Sequence, residues 1–456
     1  MQKYITFFIA LFISLSSLAQ VNLDSLWNVW NDKTQPDTMR LKAMHKIAWN
    51  GYLFSQPDSA FYFAKMEYDL AEAIGNKKQM AAALNTQGMS FYVGSDYQTA
   101  IEYLMSCLKV REEIGDKKSI ASPLNNIALV YYMKGNYATA IDYHKRSLKI
   151  KKEIGDKKGI AYSLNNIGLI YKDQGDFAKA IDYYSRSLKM FEKLGFKLGI
   201  GNCLNNIGMI YKGQGDYAKA IDYYLRSLKI HEKIGHKKSI ANNLGNIGNT
   251  YSDQGDYAKA IDYYTRSLKI REEIGDKQGI ALSFNNIGII YNDQGDYPKA
   301  IDYYTRSLKI NEEIGDKKGI ATSLNNIGLV YIEQGDLAKA YKKCKESLSI
   351  AQEIGVVLTI KEASKSLWEI NKKLGKHRQA LEMHELYIHM RDSILSIENK
   401  TAIIQQGYKY EYEKEQALAD AKHNELMHIK SEQIKTQNEK IEKERVIKYS
   451  LFIGML

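Results

Sequence analysis

The chain has three cysteines and four prolines, and its body holds no apolar run of the roughly 20 residues needed to cross a bilayer. Cys107, Cys203 and Cys344 lie about 100 residues or more apart, which excludes a disulfide framework and leaves buried or half-buried free thiols. Proline this rare permits long uninterrupted helices, and Pro298 falls in the first turn after Asp296, where a helix tolerates it. The short signatures of chemistry are missing as well: there is no Gly-rich phosphate loop, nucleophile elbow or HExxH helix. The histidines are scattered. His384/His389 and His423/His428 are each five apart, off the i,i+4 spacing that aims two rings at one metal, and His144 stands at an apolar core position. No catalytic residue, metal or cofactor is therefore expected, and the chain does not read as an enzyme.

What is present is repetition. Shifted by 40 residues, the sequence lies over itself, with Asn125, Asn165, Asn205, Asn285 and Asn325 in one column and Tyr131, Tyr171, Tyr211, Tyr251, Tyr291 and Tyr331 in another. Self-similarity at this period means stacked units. Within one unit, Ile160, Leu164, Ile167, Gly168 and Tyr171 follow helical spacing. Gly175 then supplies a left-handed stop, Asp176 a cap, and Ala180, Tyr184, Ser187, Leu188 and Phe191 a second apolar face. Gly155 and Asp156 repeat the stop and cap, so two antiparallel helices, A and B, are predicted per unit.

Leu164, Gly168, Tyr171, Ala180, Tyr184 and Ser187 stand where the tetratricopeptide repeat places its large apolar, small, aromatic and small residues. The chain resembles that family in register over most of its length. It departs from the common form of about 34 residues and lacks the proline that usually ends helix B, so a longer helix B is expected. The resemblance implies an all-α helix-turn-helix solenoid, wound as a right-handed superhelix, with helix A lining a concave groove. The 40-residue form is similar to the Pins/GoLoco-binding group and to many bacterial sensor proteins.

The flanks complete the expected organisation. Residues 1–19 carry Lys3, an apolar run and a Ser17-Leu18-Ala19 ending, the pattern of a secretory signal peptide. Residues 20–37, with Trp27 and Trp30, read as a capping helix, and residues 38–397 as about nine units, clearest over 79–357. Residues 398–448 read as a long helix or coiled coil, a route to a homodimer, although Lys430, Gln437 and Glu444 weaken the heptad seam. Residues 449–456 read as the first turns of a transmembrane helix that continues past Leu456. This order resembles bacterial membrane sensors whose output is a histidine kinase, a cyclase or a DNA-binding regulator, none of which lies in this sequence. An exported, periplasmic and inner-membrane-anchored location follows from that resemblance.

Two polar patterns remain. Asp142/Arg146, Asp182/Arg186, Asp222/Arg226, Asp262/Arg266 and Asp302/Arg306 are i,i+4 pairs expected to be solvated surface glue. Lys117/Lys118, Lys157/Lys158, Lys237/Lys238 and Lys317/Lys318 add a basic edge to a chain of net charge +11, but without base-stacking motifs nucleic acid is not expected as a partner. On helix A the amides of Asn125, Asn165, Asn205, Asn246, Asn285 and Asn325 offer donors and acceptors to an extended backbone, the candidate groove for a peptide or protein ligand. The second residue of each Asn pair has a competing use in bonding a neighbouring helix. Gly245 breaks the column, and Asn249 appears one turn later. The expected function is a protein-interaction module, the input part of a membrane signalling protein; an envelope scaffold or assembly factor is the alternative.

Overall fold

The computed structural model describes residues 22–395 together with Glu432, Lys435 and Lys440. Residues 1–19, expected to be a signal peptide, the stretch after 398 expected to be a helix or coiled coil, apart from those three residues, and the apolar segment 449–456 lie outside the described residues, and with them the membrane and homodimer expectations. Among the described residues no helix is long and apolar enough to cross a membrane, and no strand occurs.

Helices alternate strictly as A and B. The A helices of the central units are Lys117–Met133, Lys157–Asp173, Lys197–Gly213, Lys237–Asp253, Lys277–Asp293 and Lys317–Glu333, each followed by its B helix, such as Phe177–Lys193 or Tyr217–Lys233. The stops are local. Gly115, Gly155, Gly195, Gly235, Gly275 and Gly315 all have φ between 63° and 76°, a region open to glycine without a Cβ penalty. Asp216, Asp256 and Asp296 then accept from the backbone N–H three residues on, at 3.1–3.3 Å. Pro298 occupies the start of its helix. At the amino end, helix Leu23–Asn31 places Trp30 in a cluster with Met44 and Ile47, and the first unit's A helix, Asp37–Lys46, runs into a π-helical turn at Ile47–Tyr52.

Within a unit, A meets B through a size match. Tyr184, Tyr224, Tyr264 and Tyr304 are buried, and Gly168, Gly208, Gly248 and Gly288 give way to them: a Cβ at Gly208 would lie 2.8 Å from Tyr224 Cε1. Where the ring is smaller, His144, the facing residue is Ala128. The small Ser column does more than leave room. Ser147, Ser187, Ser227, Ser267, Ser307 and Ser347 each donate to a helix A carbonyl 26 residues earlier at 2.7–2.9 Å, and Cys107 takes the same place with its thiol on Ala81 O. All three cysteines are buried and free.

Between units, one buried column changes its residue almost every time, while the residue 12 positions on is Ser163, Cys203, Asn243, Ser283, Ser323 or Ala363. Lys151 Nζ donates to Ser163 Oγ at 2.9 Å. Phe191 packs with Cys203. His231 Nδ1 meets Asn243 Nδ2 at 3.0 Å, and Asn311 Nδ2 reaches Ser323 Oγ at 3.4 Å. Ala351 packs in one cluster with Ala363. Arg111 donates to Ser119 O, the carbonyl that Pro123 inside the helix leaves without its usual partner. Near-identical units stacked in a row could pair out of step. A one-unit slip would set Lys151 against Cys203 and His231 against Ser283 in place of Ser163 and Asn243.

Both surface patterns turn out to be partnered. Arg186, Arg226, Arg266 and Arg306 pair with their aspartates at 3.1–3.9 Å, and each guanidinium also lies 4.9–5.4 Å from the centroid of Tyr183, Tyr223, Tyr263 or Tyr303. These arginines cover rings and are not simply solvated. The basic edge is partly neutralised: Lys117 reaches Glu153 at 2.7 Å and Lys237 reaches Glu273 at 3.1 Å, with Lys317 on Glu353. Separations of 36 residues bring these partners together only because successive helices stack.

Candidate functional site

The Asn pairs build a ladder along the A helices. Asn126 Nδ2 donates to Asn85 Oδ1 at 2.8 Å, Asn206 to Asn165 at 3.1 Å, Asn246 to Asn205 at 2.9 Å and Asn326 to Asn285 at 2.8 Å. The second Asn of one unit thus bonds the first Asn of the unit before it. At the carboxyl end Ser366 takes over as donor, 3.2 Å from Asn325 Oδ1. One unit in from the Asn85 rung, His144 Nδ1 lies 3.1 Å from Asn125 Oδ1. Gly245 leaves no acceptor for Asn286, and Asn249 supplies it from one turn on at 3.3 Å. The odd Asn249 therefore repairs the ladder.

This geometry divides the candidate groove residues. Asn125, Asn165, Asn205 and Asn285 are half-buried, with Oδ1 taken up inside the array. Among the described residues the Nδ2 groups of Asn125, Asn165 and Asn285 have no protein acceptor, and that of Asn205 has only the Met209 sulfur, 3.8 Å away. Each keeps a donor and has already used its acceptor. Asn325 is buried at 5% exposure. Asn246 belongs with the second residues, because its own Nδ2 faces Asn205; the first position in that unit is Gly245. The column is thus partly structural, a use that appears in the sequence only when Asn-Asn pairs and the 40-residue shift are combined into a 41-residue spacing.

Beside the amides runs an apolar column one turn on. Met209, Ile289 and Leu329 are 38–39% exposed, large apolar groups at one repeat position on the same helix face as the Asn donors. Further along the A helices lies a cavity of about 420 Å³, with Arg271, Asn311, Asn242, Leu282, Lys238 and Lys318 in its wall. Sequence reasoning did not single out Arg271; the signal was the column that varies as Lys151, Phe191, His231, Arg271 and Asn311 while its surroundings repeat. Among the described residues no cluster of three His, Cys, Asp or Glu side chains could hold a metal.

Three solved structures share the fold at low identity. The apo form of RapI aligns with 16% identity over 79% of this chain and 98% of its own, TM-score 0.52. A Rap protein complexed with Competence and Sporulation Factor gives 16% identity over 79% and 99%, TM-score 0.51. A Signal Transduction ATPase with Numerous Domains carrying a tetratricopeptide repeat sensor, from Pyrococcus horikoshii, gives 17% over 82% and 56%, TM-score 0.54. No curated protein matches the chain in sequence. Tetratricopeptide repeat models match residues 79–153, 159–233 and 239–313, and a further one matches 321–354. With more than half of its residues matched, and with A and B helices packed through small residues against aromatics, the chain belongs to the tetratricopeptide repeat family.

Proposed function

We propose that the helix A face binds an extended peptide or protein segment, with the Nδ2 groups of Asn125, Asn165, Asn205 and Asn285 donating to its backbone carbonyls. The observation that carries this reading is the pairing of two columns at one period: amide donors that meet no oxygen or nitrogen acceptor among the described residues, and the exposed apolar groups of Met209, Ile289 and Leu329 beside them. Amides hold a backbone irrespective of sequence, and an apolar column accepts alternate side chains. The interaction module itself rests on the family; a Rap protein of similar fold is complexed with Competence and Sporulation Factor.

The ladder provides an unusually clean test. Changing Asn165, Asn205 and Asn285 to Ala removes the acceptors of three ladder bonds; changing Asn206, Asn246 and Asn326 to Ala removes the donors of the same three bonds. Both triple variants are expected to lose similar stability, about 1 kcal/mol per bond, in urea unfolding. Only the first set loses the outward donors. A heptapeptide selected from a random library on the wild-type chain should bind the first variant at least tenfold more weakly by fluorescence anisotropy and the second nearly as well as wild type. Equal binding by the two variants would remove the Asn column from the site.

The wider role proposed is the input part of an exported, membrane-tethered sensor, motivated by the signal-like residues 1–19 and the apolar residues 449–456. A fusion of alkaline phosphatase after residue 397 should be active in the periplasm and lose activity when 1–19 are deleted. Activity independent of 1–19 would sink the export reading. An envelope scaffold shares that export and differs in coupling to no output.

A further inference from the structure

We infer that the turns joining helix B to the next helix A in the middle of the array, at 192–198 and 232–238, form a docking face for an anionic lipid surface. This edge lies at the helix ends and not on the Asn-bearing faces, and the inference does not rest on the peptide reading. At the junctions on either side, the first lysine of helix A is neutralised by a glutamate 36 residues on, Lys117 by Glu153 at 2.7 Å and Lys237 by Glu273 at 3.1 Å. At the two junctions between them lysine takes the glutamate's place, so that Lys193 answers Lys157 and Lys233 answers Lys197. The same two turns lose a second acid. Asp156 and Asp276 cap their helices through the N–H of Gly159 at 2.8 Å and of Gly279 at 3.1 Å, whereas Phe196 makes no side-chain cap and His236 stands at the other turn. Lysine in a first helical turn already faces the positive end of the backbone dipole. Among the described residues Lys157, Lys193, Lys197 and Lys233 form no ion pair, and all four are exposed.

These charges surround apolar tips. Leu194 and Ile234 follow the last residues of their B helices at 40% and 37% exposure. Tyr162 is exposed as well, its ring edge-on to Phe196 with centroids 6.1 Å apart. Lys158 Nζ lies 4.0 Å from the centroid of the Phe196 ring, so the turn before helix Lys157–Asp173 and the next one line a single edge. Apolar groups at the turns, ringed by ammonium groups on long stems, suit a bilayer surface: the tips enter the headgroup layer while the lysines meet lipid phosphates. A free anion or a nucleic-acid backbone would make no use of Leu194 and Ile234. Farther along the edge the tips persist and the charge reverses, since Ile314 stands among Glu312, Glu313 and Asp316. Docking is therefore confined to the central turns.

The repeat itself supplies the test. Lys193→Glu/Lys233→Glu copies the neighbouring units and offers Lys157 and Lys197 the partners that Lys117 and Lys237 have, so its melting temperature should equal or slightly exceed that of wild type. The full chain would be sedimented with vesicles of phosphatidylcholine, either alone or with about one third phosphatidylglycerol. Wild type should prefer the anionic vesicles at least tenfold and be released by salt, and the double variant should lose at least tenfold in affinity for them. Leu194→Ser/Ile234→Ser, which keeps every charge, should weaken binding too. Because the native cysteines are buried, a polarity-sensitive dye can be placed on Leu194→Cys, where anionic vesicles should shift its emission to the blue, and on Ile314→Cys, where they should not. Residues 1–19 and 449–456 are the same in every variant, so binding through them would be equal in all. Equal binding of anionic vesicles by wild type and the Lys→Glu variant, or equal dye shifts at 194 and 314, would overturn the inference. If the Ser variant binds as wild type does and inorganic phosphate displaces the vesicles, the edge is a site for free anions and the lipid assignment falls.

Discussion

Tyr224→Ala is expected to lower the stability of the array by about 3–5 kcal/mol, measured as the shift of a urea unfolding curve. The side chain is fully buried, and its ring fills the space that Gly208 leaves by lacking a Cβ. Truncation removes the apolar transfer gain and leaves a cavity that two helices held apart by their other contacts cannot close. The reverse error is also costly. Gly208→Ala would put a methyl group 2.8–2.9 Å from Tyr224 Cε1 and Cδ1 and 3.2 Å from Ala220 O, and overpacking of that kind costs about 1–3 kcal/mol. Because each unit contacts mainly its neighbours, a weakened junction in the middle of the row should also broaden or split the transition. A loss under 1 kcal/mol for Tyr224→Ala, with an unchanged slope, would mean that the Gly/Tyr match does not hold the units together.

Acid should destabilise the protein through His144, and the chain's own sequence supplies the remedy. The ring is buried at 4% exposure. Burial, reinforced by the nearby Lys151, pushes its pKa down from an ordinary 6.5 to about 4. A folded pKa below the unfolded one means that the unfolded chain binds the proton first. The neutral ring's contribution is therefore fully present above about pH 6.5 and lost progressively as pH falls toward 4, a difference on the order of 3 kcal/mol. Four other units carry Tyr184, Tyr224, Tyr264 or Tyr304 at this place and Gly opposite it. His144→Tyr alone should overfill the space against Ala128 and destabilise by about 1–3 kcal/mol at pH 7.5. The double variant His144→Tyr/Ala128→Gly should recover most of that loss and show a flatter stability profile between pH 6.5 and 4. His231, whose pKa burial also lowers, is present in both proteins and cancels in the comparison. Parallel profiles for the wild type and the double variant would exclude His144 as the acid-sensitive group.

The size match also explains why the repeat tolerated change where it did. Gly168 faces Tyr184, Gly88 faces Leu104 and Gly328 faces Cys344, and in each pair a Cβ on the glycine would lie under 3.0 Å from the facing side chain, so the glycine stays while its partner varies. The column of Lys151, Phe191, His231, Arg271 and Asn311 follows the same logic with polarity added. Each buried group there has a partner chosen by hydrogen bonding or by apolar contact. Among the described residues of that column, Arg271 and Asn311 also line the cavity of about 420 Å³.

By itself the sequence determined the elements and their order. Helical spacing of Ile160, Leu164 and Ile167, a left-handed glycine such as Gly155 and an Asp cap are properties of a few consecutive residues, so the units could be drawn from the chain alone. The family could also be seen there, because its apolar and small positions recur at fixed intervals. The tertiary structure decided which polar groups are left over. Asn206 reaches Asn165 across 41 residues, and Lys117 reaches Glu153 across 36. Such distances depend on how one helical pair is rotated and displaced onto the next, a quantity set by ridge-and-groove packing over the whole interface and not by local periodicity. For that reason the Asn column, uniform in sequence, became half structural ladder and half exposed donor, and Asn246 changed sides. The cavity beside Arg271 is likewise lined from three successive A helices, a juxtaposition that no local pattern contains.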